Sequence, residues 1–578
     1  MIVYGDLCED KNTVQCIDGL MHLASTFDAT REHELATDLL IQYGEFETGV
    51  TDRLCKDFDT LNSVIRQLRS GGVMTGRLFA GSWRRNRRIS VVDLVDLLDR
   101  LRCIPLPESI TVKVPEGYAF YGLYPEFYYE SALKFVRDVQ LTHAVCIGIR
   151  SIGTSLASVI VAALESAGCP ATSFTVRPRG DFFDREIHLS DELAMEIDGN
   201  AGAWFLIADE GPGLSGSSFA SVAGELSRRG IPDERIILFP SWNPDGNGFI
   251  SRKATEQWQR HRKFLTEFEE LWLDSGLFRQ SWAYDSVSDI SAGKWRPIFL
   301  EDESEYPPVY PQNERRKYLV SSNGFSGNKK ILIKFAGLGH YGRATYSRAL
   351  LLAERGFSPR VLGLKNGFIG YELVSGKPLT KENVCRSFMQ TAARYLAFLK
   401  RQFPARATRT PEQIREMIVH NLTETAGRYW VEKFVETFPD ISALKDVQAV
   451  AVDGRLLPHK WIKTEAGYLK TDVTDHHADH FFPCCQDIAW DVAGLCVEFG
   501  LDDDSRSEFV EMYSKLSEDS DIRYRLPFYT IAYIVYRLGY SVLSGDIMRN
   551  SPEGLRFNRA IQYYSVLFQK EMYKQMTQ

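Results

Sequence analysis

Apolar and polar positions change rhythm several times along the chain. Over residues 1–104 the apolar positions recur at helical spacing, at 18–23, 34–43, 54–68 and 91–101. A break is expected at Ser70-Gly71-Gly72 and a basic loop at 83–88. From residue 110 short strand-like runs at 110–114, 143–149, 172–176, 205–208 and 236–239 alternate with helical stretches at 131–139, 154–167 and 218–229. That alternation predicts a parallel sheet with helices on both faces. Residues 258–274 read as a polar helix, and Pro307, Pro308 and Pro311 mark 306–316 as a linker. Beyond it, strand signals at 318–320, 330–335, 361–364 and 368–373 precede helices at 382–401, 411–438, 506–514 and 528–543. This predicts a small strand-rich lobe before a large helical one. The expected fold class is multidomain α/β and α+β. The expected segments are a helical region at 1–104, an α/β domain at 105–250, a helical and Pro-rich linker at 251–312 and a final domain at 313–578.

A chain of 578 residues is too long for a single core. The net charge of -8 argues against a nucleic-acid coat. No apolar run approaches the roughly 18 residues of a membrane span. The first residues carry Asp6, Glu9 and Asp10 and lack the basic stretch of a signal peptide. Of the 10 cysteines only Cys484 and Cys485 lie close together, so reduced thiols and a cytoplasmic location are expected.

The run ending at Ala208 is followed by Asp209 and Glu210 and then by a Gly/Ser loop containing Ser215, Gly216, Ser217 and Ser218. Such a loop can aim N–H groups and hydroxyls at a phosphate where a helix begins. The acids stand where they could hold sugar hydroxyls or a divalent cation. A second loop, with Arg150, Ser151, Gly153, Thr154 and Ser155, also follows a strand and precedes a helix. Ligands of open parallel sheets bind at such strand ends. Over about 110–245 these residues resemble type I phosphoribosyltransferases. The resemblance implies phosphoribosyl pyrophosphate as substrate, with Mg²⁺, and a dimer. Asp209 and Glu210 would be catalytic and metal-binding, 215–218 would hold the 5-phosphate, and Arg150, Ser151, Gly153 and Thr154 would hold pyrophosphate. Glu210 stands where the family usually has Asp, and the loop lies one residue further from the acids than usual. Arg177 and Arg179 are read equally as anion-binding groups of a mobile cover or as surface charges.

In the last domain, a strand at 331–335 carries one lysine, Lys334, and is followed by a GxGxxG at 337–342. The expected phosphate-covering loop is 321–327. Asp453, His459, Asp472, Asp487 and Asp491 follow at intervals. Over about 318–578 this series resembles the aminoglycoside phosphotransferase and choline kinase group. The resemblance implies a bilobal, protein-kinase-like fold. Lys334 would pair with ATP phosphates, with Glu354 as its partner, and Glu372 would lie at the hinge beside adenine. Asp453 would be the base or orienting acid, Asp472 and His459 would sit at the Mg²⁺ positions, and Asp487 or Asp491 would brace the catalytic loop. Ala451 replaces the family's histidine, and His459 lies one residue beyond the usual Asn.

Residues 475–480, rich in His and Asp, are read as a polar loop lining the cleft, because zinc ligands come in spaced pairs. Residues 83–88 are read as a solvated loop in preference to a nucleic-acid contact. Tyr118, Phe120, Tyr121, Tyr124, Phe127, Tyr128 and Tyr129 are expected to pack beneath the sheet. The main expectation is a phosphoribosyltransferase-like enzyme fused to a small-molecule kinase. The alternative is a non-catalytic sensor of nucleotides or phosphoribosyl pyrophosphate. Either way the partners are nucleotide-type small molecules, and neither a membrane nor a nucleic acid is expected.

Overall fold

A computed structural model describes residues 1–577 apart from 28–30, 86–89, 214, 325–326, 446 and 475, and leaves aside the side chains of 323–329 and 443. The expected basic loop and phosphate-covering loop, Leu214 of the Gly/Ser loop and Asp475 of the His-rich segment therefore lie wholly or partly outside the described residues. The chain divides into two compact units: Cys8–Ala283 with Gly337–Gly342, and Met1–Leu7 with Tyr284–Ala336 and Arg343–Gln578.

In the first unit, strands Ala171–Val176, Ala144–Ile149, Trp204–Ala208, Ile236–Phe239 and Arg262–Lys263 form a parallel sheet in that spatial order. Its fifth strand interrupts the stretch expected as one polar helix at 258–274: helix Arg252–Arg260 ends before the strand, and a π-helical segment, Glu269–Asp274, follows it. The helical region expected as a separate domain shares this unit's core: Leu39, Phe46 and Leu68 pack in one apolar cluster with Val145, Phe205 and Ile236. The break expected at Ser70-Gly71-Gly72 lies inside helix Ser63–Arg84. The glycines serve close packing there, because a Cβ on Gly71 would fall 2.0 Å from the Tyr43 hydroxyl and one on Gly72 2.3 Å from a Glu47 oxygen. The aromatic run is buried except for Tyr121, which is half-buried.

In the second unit, an antiparallel sheet runs in the order Ser286–Asp289, Lys317–Gly324, Gly327–Phe335, Phe368–Glu372, Val361–Lys365. A helical body follows, built around helices such as Arg386–Gln402, Ala489–Glu498 and Ile522–Ile547. The helix expected across 411–438 is two, Pro411–Thr425 and Arg428–Thr437, parted at Gly427 with φ +86°. The Pro-rich stretch is packed into this unit and does not act as a free linker. Val309 and Tyr310 are buried, and the Val309 N–H donates to a Glu553 oxygen at 2.9 Å. The same carboxylate takes the Arg296 guanidinium at 2.6 and 3.0 Å.

Among the described residues no helix is long and apolar enough to cross a membrane.

Candidate functional site

In the first unit the strand order reverses its direction of growth between Ala144–Ile149 and Trp204–Ala208, which are parallel neighbours. Both sequence-predicted loops leave the sheet at this switch point, where open α/β sheets bind ligands. Gly153 lets them approach: its Cβ would lie 2.3 Å from the Ala208 carbonyl oxygen. Gly216, at φ +62°, caps the twelve-residue helix Ser217–Arg228, and Phe249 lies where its side chain would be. The Arg150–Ser151 peptide is cis.

The side chains in the first loop face inward. Arg150 is buried, with its Nε donating to Asp52 at 2.7 Å, one Nη to Asp59 at 2.5 Å and the other to the Thr175 carbonyl at 3.2 Å. An arginine held this way is not available to pyrophosphate, which corrects the sequence expectation. The Thr154 hydroxyl meets that of Thr48 at 2.9 Å, and the Ser151 carbonyl accepts from Thr48 at 3.3 Å. Arg177 and Arg179 belong to the same cluster. Arg177 forks onto Asp52, and Arg179 donates to both oxygens of Asp59, at 3.0 and 3.1 Å. They tie the last turn of helix Glu32–Leu54 and the segment after it to the strand ends, so neither a mobile cover nor simple surface charge describes them. Burial pushes the Asp52 carboxyl up, but Arg150 and Arg177 outweigh it and hold it below its usual range.

The second loop also packs inward, with Ser215, Gly216 and Ser217 buried. Ser215 and Ser217 bond to each other at 3.0 Å, and the Ser217 hydroxyl donates to the Phe182 carbonyl at 2.8 Å. Ser218 stands in the first turn of the helix, half-buried. Asp209 and Glu210 are half-buried at the strand end. Burial lifts Asp209 to about 6; burial, Glu116 and Asp209 lift Glu210 to about 8. Glu210 turns away to accept the Gly117 N–H at 3.0 Å, and one Asp209 oxygen accepts the Glu210 N–H at 2.8 Å. Burial and the neighbouring acids favour the protonated form of Glu210, whose carboxyl also accepts a main-chain N–H, so it is poorly suited to the Mg²⁺ role expected of it.

In the second unit, hairpin Trp461–Thr464/Gly467–Lys470 positions the candidate side chains. Its pairing continues outward, with the Thr471 N–H donating to the Lys460 carbonyl at 2.8 Å. This brings the Lys460 side chain onto Asp472, 2.6 Å from Oδ2. Lys334 donates to Oδ1 of the same carboxylate, and His476 Nε2 lies 3.5 Å from Oδ2. Burial would raise Asp472, but Lys334, Lys460 and His476 outweigh it and hold it well below the carboxylate range. Burial lowers Lys460 to about 8.

Asp453 faces inward. One oxygen takes the Tyr395 hydroxyl at 2.6 Å and Lys470 at 3.1 Å, and its side chain is fully buried. That places it in an internal ion pair and not as a base in an open cleft. His459 stacks on Trp295, ring centroids 5.5 Å apart, and burial, with Lys460 beside it, pushes the imidazole well below its ordinary value. Glu354 is exposed, and Lys334 pairs with Asp472 in place of the expected helix acid. Glu372 ends its strand exposed, with its carboxylate 3.7 Å from Arg360. Of the two brace candidates, Asp491 accepts the main-chain N–H groups of Asp453 and Gly454, while Asp487 pairs with Arg525 at 2.6 Å. The GxGxxG belongs to the first unit, where the His340 N–H donates to Asp38 at 2.9 Å. Sequence reasoning missed Lys460 and Lys470. The two-residue turn before Gly467 is the signal that could have paired residue 460 with 471.

No protein-family model matches the chain, and no curated protein matches it. Solved structures similar to part of it include a choline kinase from Streptococcus pneumoniae, 18% identical over 43% of this chain and 89% of that one, with a TM-score of 0.30. An ethanolamine kinase from Plasmodium vivax is 14% identical over 61% of this chain and 95% of that one, with a TM-score of 0.33. A macrolide 2'-phosphotransferase from Brachybacterium faecium is 14% identical over 50% of this chain and 97% of that one, also with a TM-score of 0.33.

Proposed function

We propose that this chain is a nucleotide-type ligand sensor. Its parallel-sheet unit takes a phosphorylated ribose such as phosphoribosyl pyrophosphate, and its other unit is a kinase-like module that takes a nucleotide. The observation that carries the first half is the placement of Asp209 and the 215–218 loop at the sheet's switch point, next to the N-terminus of helix Ser217–Arg228. An acid that can hold ribose hydroxyls stands there beside a loop suited to a phosphate. The second half rests on a lysine from a strand, Lys334, meeting an acid from after a later hairpin, Asp472, with Asp491 bracing the intervening loop. Binding without turnover fits the inward-facing Arg150 and Asp453 better than catalysis does, because transfer needs donors aimed at the charge that develops.

The second reading is a phosphoribosyltransferase. Asp209 favours it: burial lifts its carboxyl to about 6, within the range of a group that exchanges protons at neutral pH. Calorimetric titration with phosphoribosyl pyrophosphate, paired with pyrophosphate release in the presence of Mg²⁺ and a panel of bases, separates the readings. Binding without release, weakened in Asp209→Ala, is the expected result. Release that disappears in Asp209→Ala would establish the enzyme, and absence of both would remove the ribose-phosphate reading.

A further inference from the structure

The kinase resemblance implies Mg²⁺ at Asp472 and the His459 position, and the side chains there do not fit it. Both oxygens of Asp472 are engaged by ammonium groups, Lys334 on one and Lys460 on the other, with His476 also near. Mg²⁺ prefers oxygen ligands in a near-octahedral set. His459 offers only a nitrogen and lies flat on Trp295. The other carboxylates of the site are committed. Asp453 holds Tyr395 and Lys470, and Asp491 holds two main-chain N–H groups. Among the described residues no group of three or more His, Cys, Asp or Glu side chains is arranged to hold a metal ion.

The same arrangement suits an anion. Lys334 and Lys460 reach one point from two different elements, a sheet strand and the turn Pro458–Lys460. A lysine ammonium binds phosphate as a point charge. We propose that Lys460 stands in for the divalent cation, so that this cleft holds the phosphates of a nucleoside di- or triphosphate without Mg²⁺. The phosphate and Asp472 then compete for the same two ammonium groups. The proposal rests on the nucleotide reading of this unit given above.

The competition gives the test a sign that a metal site would not share. The full chain is titrated calorimetrically with ADP and with ATP, once in excess EDTA and once in excess Mg²⁺. Binding in EDTA is expected to be at least as tight as in Mg²⁺. Lys460→Gln should weaken it by about tenfold, the scale of one charge-assisted hydrogen bond. Asp472→Asn, which removes the competitor, should tighten it. Melting curves of each variant confirm folding, and the wild-type comparison of EDTA with Mg²⁺ stands without them. Binding that requires Mg²⁺, or that Asp472→Asn abolishes in a folded protein, overturns the proposal. Absence of binding in both buffers overturns the nucleotide reading itself, and the proposal with it.

Discussion

Asp491 holds Asp453 by its main chain and leaves its side chain to others. One Asp491 oxygen accepts the Asp453 N–H at 2.7 Å and the second accepts the Gly454 N–H at 2.9 Å. The Asp453 carboxylate turns the other way, to Tyr395 and Lys470. Asp491→Ala would leave two buried donors without acceptors, at roughly 1–3 kcal/mol each. Chemical denaturation should show a loss of about 2–5 kcal/mol in the transition of the unit that contains it, and Asp491→Asn, which keeps one acceptor oxygen, a smaller loss. Unchanged midpoints would mean that these bonds do not hold the loop.

Arg150→Met tests the inward clamp. The substitution fills much of the same volume but leaves Asp59 buried beside fewer positive charges. Breaking a buried pair from one side costs about 3–5 kcal/mol, and Arg179, still bonded to both Asp59 oxygens, should bring the loss toward the lower figure. If Arg150 instead served a ligand, the variant would lose phosphoribosyl pyrophosphate affinity with little change in its denaturation midpoint. Measuring both quantities on one preparation decides between the two roles.

The acids at the strand end predict how this unit responds to pH. Unfolded Asp and Glu titrate near about 3.9 and 4.3, whereas burial places Asp209 at about 6 and Glu210 at about 8. Between these values the folded protein keeps protons that the unfolded chain has released, so stability falls as pH rises. The contribution is whole below about pH 4 and is lost progressively until about pH 8. Melting temperatures should therefore decline over this window. Glu210→Gln stays neutral and keeps an acceptor for Gly117, so it should flatten the decline. Parallel curves for the two proteins would contradict the assignment.

Gly71→Ala sets two effects against each other. Alanine gains about 1 kcal/mol of helix propensity over glycine, yet its Cβ would fall 2.0 Å from the Tyr43 hydroxyl and 2.7 Å from Leu97. The clash should win, because Tyr43 is fully buried and bonded to the Leu68 carbonyl at 2.9 Å, and crowding a packed core costs about 1–3 kcal/mol. A lower melting temperature is expected. A rise would show that Tyr43 can move aside.

The parallel sheet was legible in the sequence because buried strands such as 205–208 are uninterrupted apolar runs bounded by turns, and both site loops follow from that pattern. Helix Ser63–Arg84 was hidden by Gly71 and Gly72, whose local cost is offset by a close approach that only the tertiary fold reveals. The partners of Arg150 were hidden for a similar reason: Asp52 and Asp59 lie about a hundred positions away, and no local periodicity links an arginine to such acids. The roles of the site acids in the second unit came from a family resemblance, and a resemblance in sequence is silent on which way a carboxylate turns. Asp453 looks catalytic in sequence and is internal in space, because Lys470 pairs with it across a fully buried gap.

The cluster that withholds Arg150 from direct contact still acts at a distance. Three guanidinium groups, of Arg150, Arg177 and Arg179, share two carboxylates, of Asp52 and Asp59, so these five side chains together carry one positive charge. Arg177 and Asp52 keep 27% and 31% of their side chains exposed, so solvent ions screen this net charge over about 8 Å at physiological salt. The fixed charge biases the neighbouring strand ends toward anions without donating a hydrogen bond to them. Approach of a phosphorylated ligand would be hastened at low ionic strength and slowed as salt is added, even where the bound state touches none of the three arginines.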